Sequence, residues 1–371
     1  MQRSIMATGI VGALTFCGAA FGQEAMGGTA PPNKAAAENV PEFRDPTNAA
    51  LVYWPTFWAL GEDARVKLSD AYQGFKDDLF ARPSAEASQL IASRSDMVDQ
   101  IIRASEIRHA DWGVEWSRGF YARLEHLGKL RMTSRFVAVD ARRLVAAGDP
   151  DAAADRVAAM HRIARHASPD GTLISALVGA SISNIACTET EMLLADGRMT
   201  AKGKQEILDA LSWFDGPDPF RIRFSILGEK QWTSSWLRQR ATGAEAGKTA
   251  MKLITDLSDD AGKARLAATG LADMDERAVH AELDKLDGFF IAAIEAWDAP
   301  NAAERIRSLN EQASAEKYGV FFTILAPALQ KTYESDQKAR TRLNDVRARV
   351  QSFAPASAAP TKSPDASGPS K

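Results

Sequence analysis

Two apolar stripes of helical period, separated only by Gly148-Asp149-Pro150, most restrict what this chain can fold into. Phe136, Val137, Ala141, Leu144 and Val145 recur at helical spacing before the break, and Val157, Met160, Ile163, Ala164 and Ala167 after it. Glycine suits the left-handed position that ends a helix, aspartate caps the next one, and proline is tolerated in its first turn. The spacing therefore predicts a helix–turn–helix, with Arg156, Arg162, Arg165 and His166 largely off the apolar face of its second helix. A third helix, from Thr172 to Asp196, turns Leu173, Ile174, Leu177, Val178, Ile182, Ile185 and Leu193 inward. Its Gly179, Ala180, Ser181 and Ser183 would let a neighbour approach closely, which places this helix at the centre of the fold.

Stripes of the same period recur along the chain, and alternation of period two is nearly absent. The expected class is all-α: an irregular helical bundle or short α-α superhelix of about a dozen helices, in one domain over residues 48–353. The first helix, carrying Leu51, Val52, Trp54, Phe57, Trp58 and Leu60, should be core, with Pro55 bending it or delaying its start. Helices are expected at 63–79, 84–107, 201–214, 219–240, 275–297 and 302–315, with a last one over 317–350 kinked at Pro327. Segment 241–274, rich in Ala, Gly and Asp, should be the loosest, anchored by Met251, Leu253, Ile254 and Leu257.

Ser4 to Phe21 is apolar, free of acids and preceded by Arg3, which reads as a secretory signal peptide over residues 1–22, cleaved before Gln23. A lipoprotein modified at Cys17 is the alternative, disfavoured by Phe16. Residues 23–47 read as a flexible tether and 354–371 as a disordered tail. The protein is thus expected to be periplasmic or secreted, with no transmembrane span in its mature chain. Losing residues 1–22 removes Arg3 and no acid, taking the formal charge from −3 to −4. A near-neutral chain does not point to nucleic acid. Cys187 would then be the only cysteine, so no intrachain disulfide could form, and its apolar surroundings predict a buried, unpaired thiol.

Chemistry is best sought in the turn His109-Ala110-Asp111-Trp112-Gly113-Val114-Glu115-Trp116. His109, Asp111 and Glu115 could supply an acid, a base or ligands, with His126 as a further candidate. The structural reading is stronger: Asp111 folds back onto the backbone near Gly113 while Trp112 plugs the core. From Lys129 to His166 eight basic residues face four acids, so Arg131 and Arg135 belong to a stretch that could attract phosphate, an anionic polysaccharide or lipid head groups. An ordinary solvated face is the preferred reading of that surplus, since charged helix exteriors are expected. His161 and His166 are five residues apart, which turns them away from one another on a helix, so a shared metal is not expected.

The stretch DWG…HLGKLR…ARRLVAAGDPDAAADRVAAMHRIARH…TLISALVGASI, about Asp111 to Ile182, resembles a group of uncharacterised, secreted, all-helical bacterial proteins. That resemblance implies a shared fold and no known activity. A cysteine often precedes the Asp-Trp-Gly triplet in the group, whereas Ala110 stands here, so no thiol role transfers to this turn. Val137 to Arg165 is also similar to one tetratricopeptide repeat, without a second copy at the period of an array.

Other signatures fail on their context. Gly243 to Thr249 resembles a phosphate-binding loop, but one residue too few separates its glycines and it follows a helical pattern. Ser314 and Lys317 have the serine–lysine spacing of penicillin-binding proteins without the companion motifs, and His280-Ala281-Glu282 lacks the cysteines of a zinc deaminase. No cofactor or metal is indicated. The expectation is an exported binding or scaffolding protein of the cell envelope, partnered by an envelope protein or an anionic envelope polymer. The rival is an envelope hydrolase using the His109–Glu115 turn.

Overall fold

The computed structural model describes residues 45–168, 170–256, 260–325 and 328–355. The stretches expected to be a leader over 1–22, a tether up to Arg44 and a tail beyond Pro355, together with Leu257 and Pro327, lie outside them. Sixteen α-helices and no strand occur among the described residues, so the fold is all-α. In chain order they are α1 (Ala49–Ala59), α2 (Glu62–Phe75), α3 (Ala85–Ala92), α4 (Ser95–Glu106), α5 (Glu125–Ala147), α6 (Pro150–His166), α7 (Leu173–Asp196) and α8 (Ala201–Leu211). Then come α9 (Ile222–Arg240), α10 (Ala246–Thr255), α11 (Asp260–Ala267), α12 (Glu276–Trp297), α13 (Ala302–Gln312), α14 (Ala315–Tyr318), α15 (Phe322–Leu325) and α16 (Leu329–Ser352). Residues from Pro46 onward form one unit, because α16 returns to pack on α7 and α8.

The break after α5 has the expected chemistry. Gly148 is left-handed at φ 88°, Asp149 accepts the Ala152 N–H at 3.0 Å, and Pro150 opens α6. The innermost helix is α6, where the apolar pattern had pointed to α7. It is enclosed by α4, α5, α7 and α8, and all its side chains from Val157 to Ala164 are buried. Arg162 and His166 are therefore inside, not off the packed face, and so is His161. α7 lies against α6 as its small residues suggest: a Cβ on Gly179 would meet the Ala164 carbonyl oxygen at 2.8 Å. Ile174, expected inward, is exposed. Although α7 is long and apolar enough to cross a membrane, 67% of its most apolar window is buried within the fold. Cys187 is unpaired and buried on α7, and burial pushes its thiol up to about 12.

The basic surplus between Lys129 and His166 is mostly neutralised internally. Arg142 binds both carboxylate oxygens of buried Glu189 and the carbonyls of Asp78 and Ala81. Arg156 pairs with Asp140, Asp99 and Asp155, and Arg162 with Glu206.

Several elements depart from expectation. α1 runs through Pro55 and buries Tyr53, Phe57 and Leu60, while Leu51 and Trp58 are 63% and 70% exposed. The helix expected over 84–107 breaks at Ser93, whose hydroxyl takes the Leu90 carbonyl, leaving Arg94 non-helical. The single long last helix is instead α14, α15 and α16. Within the segment expected to be loosest, Ala246, Ala250, Ile254, Leu266 and Leu271 are fully buried.

Candidate functional site

A cleft of about 490 Å³ opens where the ends of α4 and α6, the turn after α8 and the start of α9 meet. Its first wall is extended chain after α4. Asn48, which caps α1, exchanges two hydrogen bonds with the backbone of Asp111, at 2.9 and 2.8 Å, and Ala49 N–H donates to the His109 carbonyl at 2.8 Å. Asp111 Oδ1 accepts the Gly113 N–H at 3.0 Å, with Gly113 left-handed at φ 65°. Trp112 consequently points inward, donating its indole N–H to the His166 carbonyl at 2.9 Å. Arg108, His109, Ala110 and Asp111 are left along the cleft. The other walls carry Arg165 and His166 from the end of α6, Asp170, Trp213, Arg221 before α9, and Trp116. Arg221 holds a left-handed backbone at φ 58°, uncommon for a residue with a side chain.

Three guanidinium groups thus face one space. Each is braced by an aromatic ring: Arg108 over Trp213 at 5.1 Å, Arg165 over Phe214 at 5.9 Å, and Arg221 over Phe224 at 4.1 Å. Arg165 also donates to the Pro219 carbonyl at 3.1 Å. Among the described residues no carboxylate lies within ion-pair distance of any of the three. A ring under a guanidinium leaves its in-plane donors free, whereas a carboxylate would occupy them. Of the two aspartates in the lining, Asp111 accepts from Gly113, and Asp170 lies 2.8 Å from His126 Nε2 without an aligned hydrogen bond and attracts the Arg221 charge from beyond ion-pair distance. Burial lowers the pKa of Arg165, helped by the charge of Arg221; burial also lowers that of Arg221, with Asp218 and Asp170 opposing. In both, burial outweighs the attraction of Asp218.

His166 lies at the buried edge. Its Nδ1 is 3.1 Å from the Tyr53 hydroxyl, and Nε2 makes no aligned hydrogen bond. Burial, opposed by the Ile107 carbonyl, brings its pKa down to about 4, so the ring is neutral at pH 7. Burial raises the pKa of Tyr53, so its hydroxyl stays protonated beside Nδ1.

Of the residues expected from sequence, His109, Asp111 and Trp116 line this cleft. The others do not. Trp112 is 6% exposed and stacks on Tyr53, Phe57 and His126, so it is core. His126 is buried beneath it, its centroid 4.8 Å away, and reaches the cleft only through Asp170. Glu115 is exposed and 3.9 Å from Arg118. On α5, Arg131 bonds Ser181 and Arg135 sits over Tyr72, because their helix faces carry them elsewhere. Of the four acid–base candidates, His109 and Asp111 thus share the cleft, while Glu115 and His126 lie outside its lining.

The sequence pattern gives no sign of Arg108, Asp170, Trp213 and Arg221 as site residues, and it places Arg165 and His166 facing outward. Arg165-His166 ends a helix that is buried on nearly every side from Val157 onward, and charged groups there need partners, but that burial is not visible in the sequence. The His161 and His166 rings serve Thr190 and Tyr53 respectively. Gly247, from the loop resembling a phosphate site, instead admits the Leu271 carbonyl, which would lie 2.0 Å from an added Cβ. Ser314 accepts the Lys317 N–H as the cap of α14.

No family, curated protein or solved structure matches this chain.

Proposed function

We propose that this protein is an exported binding protein of the bacterial cell envelope that captures an anionic ligand in the arginine-lined cleft. One observation carries the reading: Arg108, Arg165 and Arg221 face a common space and are held by rings instead of carboxylates. Charge left unpaired in this way is matched by a ligand's carboxylate, phosphate or sulfate, bound through two N–H donors per guanidinium. The ligand is an anion free in the envelope or displayed on an envelope polymer or protein. Export rests on the apolar, acid-free run Ser4 to Phe21, and α7 is read as a core helix of the secreted protein. A hydrolase built on the His109–Glu115 turn would have only His109 and Asp111 in the cleft, with Glu115 outside it and three arginines opposite, so binding is the preferred reading.

Calorimetric titration with inorganic phosphate, sulfate and citrate tests it. Wild-type protein should bind at least one of them, more weakly as salt rises, and Arg108→Gln and Arg221→Gln should each weaken binding by about tenfold or more. Affinities unchanged in both variants would refute the assignment, as would failure of all three anions to bind.

A further inference from the structure

We infer that the anion is borne on a polyhydroxylated ring, so that the cleft is a site for an acidic saccharide: a uronic acid or a sugar phosphate, free or at the end of a chain. This rests on the anion-binding reading above and goes beyond it to the body of the ligand. Size gives the first reason. At about 490 Å³ the cleft falls within the range of whole small-molecule sites and far exceeds the room that one oxyanion needs.

The chemistry of the lining gives the second. Only Ala110, Trp116 and Trp213 are apolar, and Trp213 already carries Arg108. A lipid tail or large aromatic body would leave the surrounding polar groups unpaired, which is costly. A body with its own hydroxyls satisfies them. Asp111 commits Oδ1 to Gly113, while Oδ2 makes no hydrogen bond among the described residues and can accept from a hydroxyl. His109 beside it is exposed and offers a second polar edge. Trp116, half-buried and 6.3 Å from Trp232, gives the C–H face of a sugar ring an apolar wall.

A third reason lies in the sign of the charges. Asp111 and Asp170 stand in the same lining as the three arginines, which disfavours a ligand charged all over. One anionic group at the arginine wall and neutral hydroxyls at the Asp111 wall match both.

Calorimetry with D-glucuronate, D-galacturonate, D-glucose 6-phosphate, D-glucose and inorganic phosphate tests the inference. At least one acidic sugar should bind about tenfold or more tighter than phosphate, and D-glucose should not bind measurably. Whether a uronate or the sugar phosphate binds better assigns the anionic group. Asp111→Asn, at an exposed carboxylate, and Trp116→Leu should each reduce the preference for the acidic sugar over phosphate, the ratio of the two affinities, by about tenfold. If Trp116→Leu does not fold, Asp111→Asn alone decides. Phosphate binding as tightly as every acidic sugar would overturn the saccharide inference and leave the anion site standing. No binding of any anion would overturn both.

Discussion

Trp112 and Asp111 are adjacent and do opposite things. The indole is sandwiched among Tyr53, Phe57 and His126 and satisfies the His166 carbonyl; the carboxylate lies outside and holds a single backbone N–H. Trp112→Ala should therefore cost about 3–5 kcal/mol, the range for truncating a buried aromatic. Asp111→Ala should cost nearer ~1 kcal/mol, that of one local hydrogen bond. Urea unfolding of both variants checks this, and a fully stable Trp112→Ala would contradict the packing. This pair was legible in the sequence because an Asp-x-Gly turn has a local cause. The arginine cluster was not: Arg108, Arg165 and Arg221 come from three separate elements, and nothing in the order of residues records that those elements meet. Arg131 and Arg135 looked equally basic and went elsewhere.

At the scale of the element, caps were readable and interior breaks were not. Asn48, Ser84, Asp149, Thr172 and Thr200 each accept a backbone N–H at a helix start, which residue type alone suggests. The break at Ser93 depends on a hydroxyl competing for one carbonyl, which helical periodicity does not show. Glycines inside helices likewise divide by what lies beside them. Gly228 on α9 passes so close to the turn before α7 that a Cβ would lie 1.9 Å from the Gly171 carbonyl oxygen, whereas Gly288 on α12 has nothing within 4 Å. Gly228→Ala should destabilise by about 1–3 kcal/mol through overpacking, and Gly288→Ala should stabilise by about 0.4–1 kcal/mol. Thermal melts of the two variants that shift in the same direction would contradict this account. Because Arg221 precedes α9, Gly228→Ala should also weaken anion binding, and Gly288→Ala should not.

For the whole molecule, stability should depend on pH through groups in its interior. Burial holds His161 at about 3 and His166 at about 4, below the ordinary 6.5, so on acidification below pH 6.5 the unfolded chain takes up protons that the fold refuses. Their contribution is present above pH 6.5 and is lost as pH falls toward 4. Asp336 acts in the opposite sense. Burial raises it from 3.8 to about 6 despite its pairing with Arg340, so the fold binds that proton more tightly, and its contribution is present below 3.8 and lost as pH rises through 6. The stability change on Asp336→Asn, whatever the cost of losing the Arg340 pair, should therefore be more favourable at pH 7.5 than at pH 4.5, the difference being on the order of 1–3 kcal/mol. Urea unfolding at the two pH values measures it, and equal effects at both would exclude Asp336 as a titrating group. The all-α class was plain from periodicity, but which helix lies innermost was not, because Arg162 and His166 made α6 look half-solvated when their partners lie on neighbouring elements. The double clamp of Asn48 on Asp111, with Ala49 on His109, has a mechanical side. Tension arriving along the chain from its amino-terminal side meets those three hydrogen bonds first and loads the wall that carries Arg108, His109 and Asp111.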